Sequence, residues 1–209
     1  MGIGGFPDAA LVDYVLGFAR GRRVLVDTTA SPEHELDWPS VWDAEPTHLS
    51  FYPWPPDDLR GLALSHDAIL VCGGNTANML AVWRVHGFDR VLREAWEAGV
   101  VLFGWSAGMI CWFEAGVTDS FGPELAGLRD GLGFLPGSAC PHYDGEDQRR
   151  PVYRQLVADG FPPGLALDDF AAARFDGTEL VEVVASMSAR GYRVGPDGET
   201  PLETRALSA

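Results

Sequence analysis

Apolar residues fall at helical spacing over residues 9–20, where Leu11, Val12, Val15, Leu16 and Ala19 share one face. A short apolar run, Arg23-Val24-Leu25-Val26-Asp27, reads as a strand, and 28–32 as its loop. Residues 37–42 suit a short helix, and 47–52 a second strand that Pro53 and the Pro55-Pro56 pair end. The run 67–72 is a third strand leading into Gly73-Gly74. Helical spacing returns over 75–85 and 88–98, and Gly99 stops the second of these. Residues 100–103 form a wholly apolar fourth strand, as strands covered on both faces do. Residues 107–114 then read as a buried helix.

Further along, 132–140 reads as loop and short strand, 148–159 as a helix, and 165–167 as a strand ending at Asp168-Asp169. Strand patterns follow at 171–175, 180–184 and 192–194, with a hairpin turn at Gly195-Pro196-Asp197-Gly198. Strands alternating with helices predict an α/β fold. It is a three-layer sandwich, with a mostly parallel sheet, helices on both faces and antiparallel strands near the C-terminus. No linker or repeat divides residues 1–209, so a single domain is expected.

Composition narrows the partners. Thirty acidic against fifteen basic residues give a net charge of −15, the opposite of a nucleic-acid footprint. No apolar run approaches a membrane span, and the first residues lack the pattern of a secretory leader. The three cysteines, Cys72, Cys111 and Cys140, match no metal spacing and suit a reducing compartment, so a cytoplasmic protein without metal or cofactor is expected.

Gly104-Trp105-Ser106-Ala107-Gly108 matches G-x-S-x-G, directly after an apolar strand and before an apolar helix. A nucleophile perched on such a turn takes strained backbone angles, which demand small neighbours. The same pattern also suits a plain strand-to-helix turn with an N-cap serine. A serine needs a base. His34, His48, His66 and His86 read as solvated, strand or helix-end residues. His142, in the polar loop Cys140-Pro141-His142-Tyr143-Asp144, is the candidate base. Asp168 and Asp169 close a short strand and point to opposite faces, so one of them can orient the histidine. Gly73-Gly74-Asn75-Thr76 opens a helix after a strand, as either a tight turn or an oxyanion donor.

Taken in order, Gly73-Gly74-Asn75-Thr76, Gly104-Trp105-Ser106-Ala107-Gly108, Pro141-His142-Tyr143-Asp144 and Leu167-Asp168-Asp169 resemble the dipeptidase E and cyanophycinase family of serine peptidases, over about residues 4–184. The resemblance implies a fold similar to class I glutamine amidotransferases, with Ser106 as nucleophile, His142 as general base, and Gly74 and Ala107 as backbone oxyanion donors. The family's third member is usually a glutamate. Here Asp169 stands there, with Asp168 as a substitute. Asn75, Asp168 and Arg149 are expected at the substrate, a small peptide, and the resemblance allows a homodimer. The loop 144–150 is short and acidic, so a peptide with an uncharged first residue is expected rather than an aspartyl one. A non-peptide acyl hydrolase and a silent binding protein are the alternatives on the same scaffold.

Overall fold

The computed structural model of the chain describes residues 1–31 and 42–207. Of the short helix expected over 37–42, all but Trp42 lies outside the described residues. The order is β1 (Gly2–Ile3), α1 (Ala9–Leu16), β2 (Arg23–Asp27), β3 (Glu45–Leu49), α2 (Leu59–Leu64), β4 (Ala68–Val71), α3 (Thr76–His86), α4 (Phe88–Glu97), β5 (Val101–Trp105) and α5 (Ala107–Ile110). There follow β6 (Phe113–Thr118), β7 (Ala126–Leu128), β8 (Leu135–Cys140), α6 (Arg149–Ala158), β9 (Gly164–Leu167), β10 (Ala171–Asp176), β11 (Glu179–Ala185), β12 (Gly191–Gly195), β13 (Gly198–Pro201) and β14 (Thr204–Ala206). The fold is the expected α/β sandwich, but it carries two sheets.

The first sheet runs β14-β11-β10-β1-β5-β4-β2-β3, with β1, β5, β4, β2 and β3 mutually parallel and β10 antiparallel to its neighbours. Its strands alternate faces with period 2. Val24, Val26, Leu70 and Phe103 pack under α1 with Leu11 and Val15. Leu25, Ile69, Val71 and Leu102 pack with Met79, Trp83, Phe88 and Leu92 of α3 and α4. Both faces of β2, β4 and β5 are thus buried, which is why these strands read as apolar runs.

The second sheet runs β13-β12-β9-β8-β6-β7. One face joins the core beneath α5 through Phe113, Leu135, Leu165 and Leu167. The other carries Val117, Cys140 and Ala166 against Tyr153 and Val157 of α6. The hairpin expected at 195–198 joins β12 to β13.

The helix expected over 107–114 is corrected to a single turn followed by β6. The carbonyls that a longer helix would use are taken from outside: Leu132 N–H donates to Cys111, Leu135 N–H to Trp112 and Gly133 N–H to Phe113. Buried periodicity alone does not separate a short helix from a strand. No helix among the described residues is long and apolar enough to cross a membrane.

Candidate active site

Parallel strands bring their following loops to one end. After β5 comes Ser106, after β4 Cys72-Gly73-Gly74, after β1 Gly4-Gly5, and after β2 Thr28 and Thr29. In the second sheet, β8 and β9 are parallel neighbours with Cys140 opposite Ala166. Two residues past each partner of that pair, or three, stand His142 and Asp169. The chain then leaves β9 and enters the first sheet as β10, so residues 168–170 form the seam between the two sheets.

Ser106 has φ 54° and ψ −114°, angles that L residues rarely adopt and that cost about 1–3 kcal/mol. What holds it there is packing on both sides. A Cβ on Gly104 would lie 2.4 Å from the Val71 carbonyl oxygen, and one on Gly108 2.1 Å from the same atom. Only glycine lets β5 and α5 approach β4 so closely. A Cβ on Gly73 would lie 3.1 Å from Ser106 Cβ, so the Gly73-Gly74 turn sits directly against the serine. Gly74 itself has φ 133°, with the Ala30 carbonyl in the space of a side chain and Asn75 N–H donating to that carbonyl at 2.7 Å. At the start of α5, the Ala107 N–H is one of the donors that a helix leaves without an internal partner.

Two short polar contacts tie the other pieces to β1. Ser106 N–H donates to the Ile3 carbonyl and His142 N–H to the Gly4 carbonyl, 3.3 and 3.2 Å. Consecutive peptide groups therefore fix both residues. His142 also has φ 53°, and its Nδ1–H donates to Asp169 Oδ1 at 2.7 Å. A carboxylate only accepts, so the neutral ring carries its proton on Nδ1 and leaves Nε2 as an acceptor. The Asp169 carboxylate is wedged between two glycines: Cβ atoms on Gly5 and Gly145 would each lie 2.2 Å from one of its oxygens. Asp144 Oδ1 accepts from Asp169 N–H at 2.8 Å. Sequence reasoning passed over Gly4 and Gly5, although a glycine pair directly after β1 was the available signal, and it could not separate Asp144 from a solvated loop.

Asp168 points the other way. Arg190 N–H donates to its Oδ2 at 2.9 Å, and Oδ1 is buried without a partner. Burial, with Asp144 adding its charge, pushes this carboxyl up to about 6. The side chain serves the β9–β12 seam and not the face of the imidazole. Asn75 is the N-cap of α3, its Oδ1 accepting from Asn78 N–H and its Nδ2 donating to the Ser120 carbonyl. Arg149 is 3% exposed; it donates to both Glu146 oxygens and to the Val117 carbonyl. Asn75 and Arg149 thus hold partners inside the protein, whereas Asp168 keeps one buried oxygen without any. Arg149 pins the loop that carries His142 to β6.

Asp27 ends β2 fully buried, accepting from Thr29 N–H, Thr29 Oγ1 and Trp83 Nε1. Burial pushes its carboxyl up to about 6. The loop it secures delivers the Ala30 carbonyl to Gly74. All three cysteines are buried thiols, and burial pushes each well above the usual range, which disfavours the thiolate. Among the described residues no three His, Cys, Asp or Glu side chains gather as metal ligands.

The family model described as Peptidase family S51 matches residues 35–183. The chain belongs to peptidase family S51. The resemblance carried by the four ordered motifs holds at that level. Over 154 residues this S51 chain is 53% identical to the "Uncharacterized peptidase YgaJ" of Bacillus subtilis (strain 168), covering 73% of the chain and 66% of that protein. Over 123 residues it is 28% identical to the "Peptidase E" of Shewanella denitrificans, covering 54% of the chain and 52% of that protein. The S51 chain thus spans just under two thirds of the first relative and about half of the second. Its fold is similar to the crystal structure of a peptidase from an acI-B1 Actinobacterium, with a TM-score of 0.68 at 16% identity over 97% of this chain and 93% of that one.

Proposed function

We propose that this S51 chain is a serine peptidase that hydrolyses short peptides through Ser106, His142 and Asp169. The observation that carries the reading is the 2.7 Å bond from His142 Nδ1 to Asp169, on a histidine fixed by the carbonyl next to the one that fixes Ser106. His142 Nε2 takes the Ser106 proton as Oγ bonds to the scissile carbonyl carbon. The oxyanion forms between the N–H groups of Gly74 and Ala107. As the C–N bond breaks, the imidazolium gives its proton to the leaving amine. Water, deprotonated by the same nitrogen, then releases the acyl group and restores the serine. Asp169 holds the ring in the productive tautomer throughout.

The acidic surroundings of His142, with Asp144 at the Asp169 amide, favour a peptide whose first residue is uncharged. Three buried reduced thiols suit a cytoplasmic enzyme. Mass-spectrometric profiling of a mixed dipeptide and tripeptide library tests the activity. Fluorophosphonate labelling tests the nucleophile. The wild-type chain is expected to cleave and to be labelled, and Ser106→Ala to do neither with an unchanged melting curve. Cleavage retained in Ser106→Ala would sink the assignment.

A further inference from the structure

Phe6 is a large apolar side chain left 49% exposed at the rim of the site. Its place follows from the residues already described. It comes next after Gly5, which lies against the Asp169 carboxylate, and two after Gly4, which holds the His142 amide. Its ring packs edge-on against Trp105 at 5.0 Å and tilted against Trp42 at 5.7 Å. Both tryptophans are nearly buried, 8% and 4% exposed, so they form a fixed backing for a ring that is itself half exposed. Trp105 directly precedes Ser106, and a Cβ on Gly73 would lie 2.8 Å from its indole Nε1. Ring, indole, glycine turn and nucleophile are therefore in one continuous contact.

An edge-on contact with Trp105 and a tilted one with Trp42 hold the ring in place, so little freedom is lost when a ligand packs on it. The charges nearby point the same way. The two arginines after the His142 loop are each closed by a glutamate, Arg149 by Glu146 and Arg150 by Glu199. Asp144 and Asp169 add negative charge on the histidine side. Both arginines are already paired with a glutamate, whereas an apolar side chain has a preformed surface.

We propose that Phe6, backed by Trp42 and Trp105, is a specificity-determining residue that receives a neutral apolar side chain of the peptide beside the scissile bond. The proposal rests on the peptidase reading above. The test is kcat/KM on a panel of dipeptides carrying Phe, Leu, Ala, Asp or Lys at each position, for wild type, Phe6→Ala and Phe6→Leu. The wild-type chain should prefer Phe and Leu at one position. Phe6→Ala should lower kcat/KM for those peptides by roughly 10–100-fold, mainly through KM, and change the Ala peptides by no more than about threefold. Phe6→Leu should keep most of the preference. The ratio between Phe and Ala peptides within one variant does not depend on how much of it is folded. A uniform loss across the panel, or a wild-type preference for Asp, would overturn this proposal while leaving the peptidase reading intact. A panel in which nothing is cleaved would overturn both.

Discussion

Asp27→Asn probes the buried carboxylate beneath the Gly74 turn. Asp27 is fully buried, and burial pushes its carboxyl from 3.8 up to about 6. Two pH units at 1.36 kcal/mol each make about 3 kcal/mol of difference between its neutral and charged forms. The sign follows from the direction. A carboxyl whose folded value lies above its unfolded value stabilises the fold fully below the unfolded value. That contribution is lost as pH rises through the folded one. Asparagine has the same shape and does not titrate. The stability of wild type minus that of Asp27→Asn should therefore fall by about 2–3 kcal/mol between roughly pH 4 and roughly pH 8. Every other titrating group is common to both chains and cancels.

An offset rides on that change. Asparagine keeps an oxygen for Thr29 but turns an NH2 toward Trp83 Nε1–H, and a buried donor without a partner costs about 1–3 kcal/mol. The offset is independent of pH, so the slope alone carries the test. Urea unfolding followed by tryptophan fluorescence, at unit steps of pH, measures it. A difference that stays flat, or that grows with pH, would refute a carboxylate held neutral by burial. A kcat for Asp27→Asn well below wild type, with KM unchanged, would further link this anchor to the Gly74 amide.

Asp169→Asn should leave the fold intact but present the wrong tautomer of His142, with a loss of kcat on the order of 10⁴-fold; steady-state kinetics on any cleaved peptide checks it. Gly5→Ala places a methyl 2.2 Å from Asp169 Oδ1 and should cost roughly 100-fold in kcat with little change in KM. Arg149→Met removes the donors to Glu146 and the Val117 carbonyl and should lower unfolding stability by about 2–3 kcal/mol in urea titration, with kcat falling as the His142 loop loosens.

The centre of the first sheet was legible because both faces of β2, β4 and β5 are buried: they appear as apolar runs bounded by turn residues, and α3 and α4 carry one apolar face, with Gly99 just past α4. The second sheet was not legible as a separate layer. Its strand β6 is nearly as buried as the short helix before it, and what ends that helix is hydrogen bonding from residues 132–135, a tertiary effect that no local pattern encodes. The same limit applies at the site. Ser106 announced itself because a strained turn needs glycines two positions on either side, and His142 because its loop is polar. Which aspartate faces the imidazole was open by alternation alone. It was decided by Gly5 and Gly145 leaving room for the Asp169 carboxylate and by Arg190 N–H claiming Asp168.

Arginine and asparagine raise one common question. Arg149 and Asn75 are polar residues beside a candidate site, and sequence cannot tell a side chain that waits for a ligand from one that the fold has already satisfied. The structure separates them by counting partners: Glu146 and Val117 for one, Asn78 and Ser120 for the other. Phe6 is the opposite case, an apolar ring that the fold positions on two tryptophans and then leaves half open. Burying that ring completely would have been the cheaper solution for stability alone. Its exposure at the nucleophile is therefore the place where the demands of the fold and those of a substrate part company.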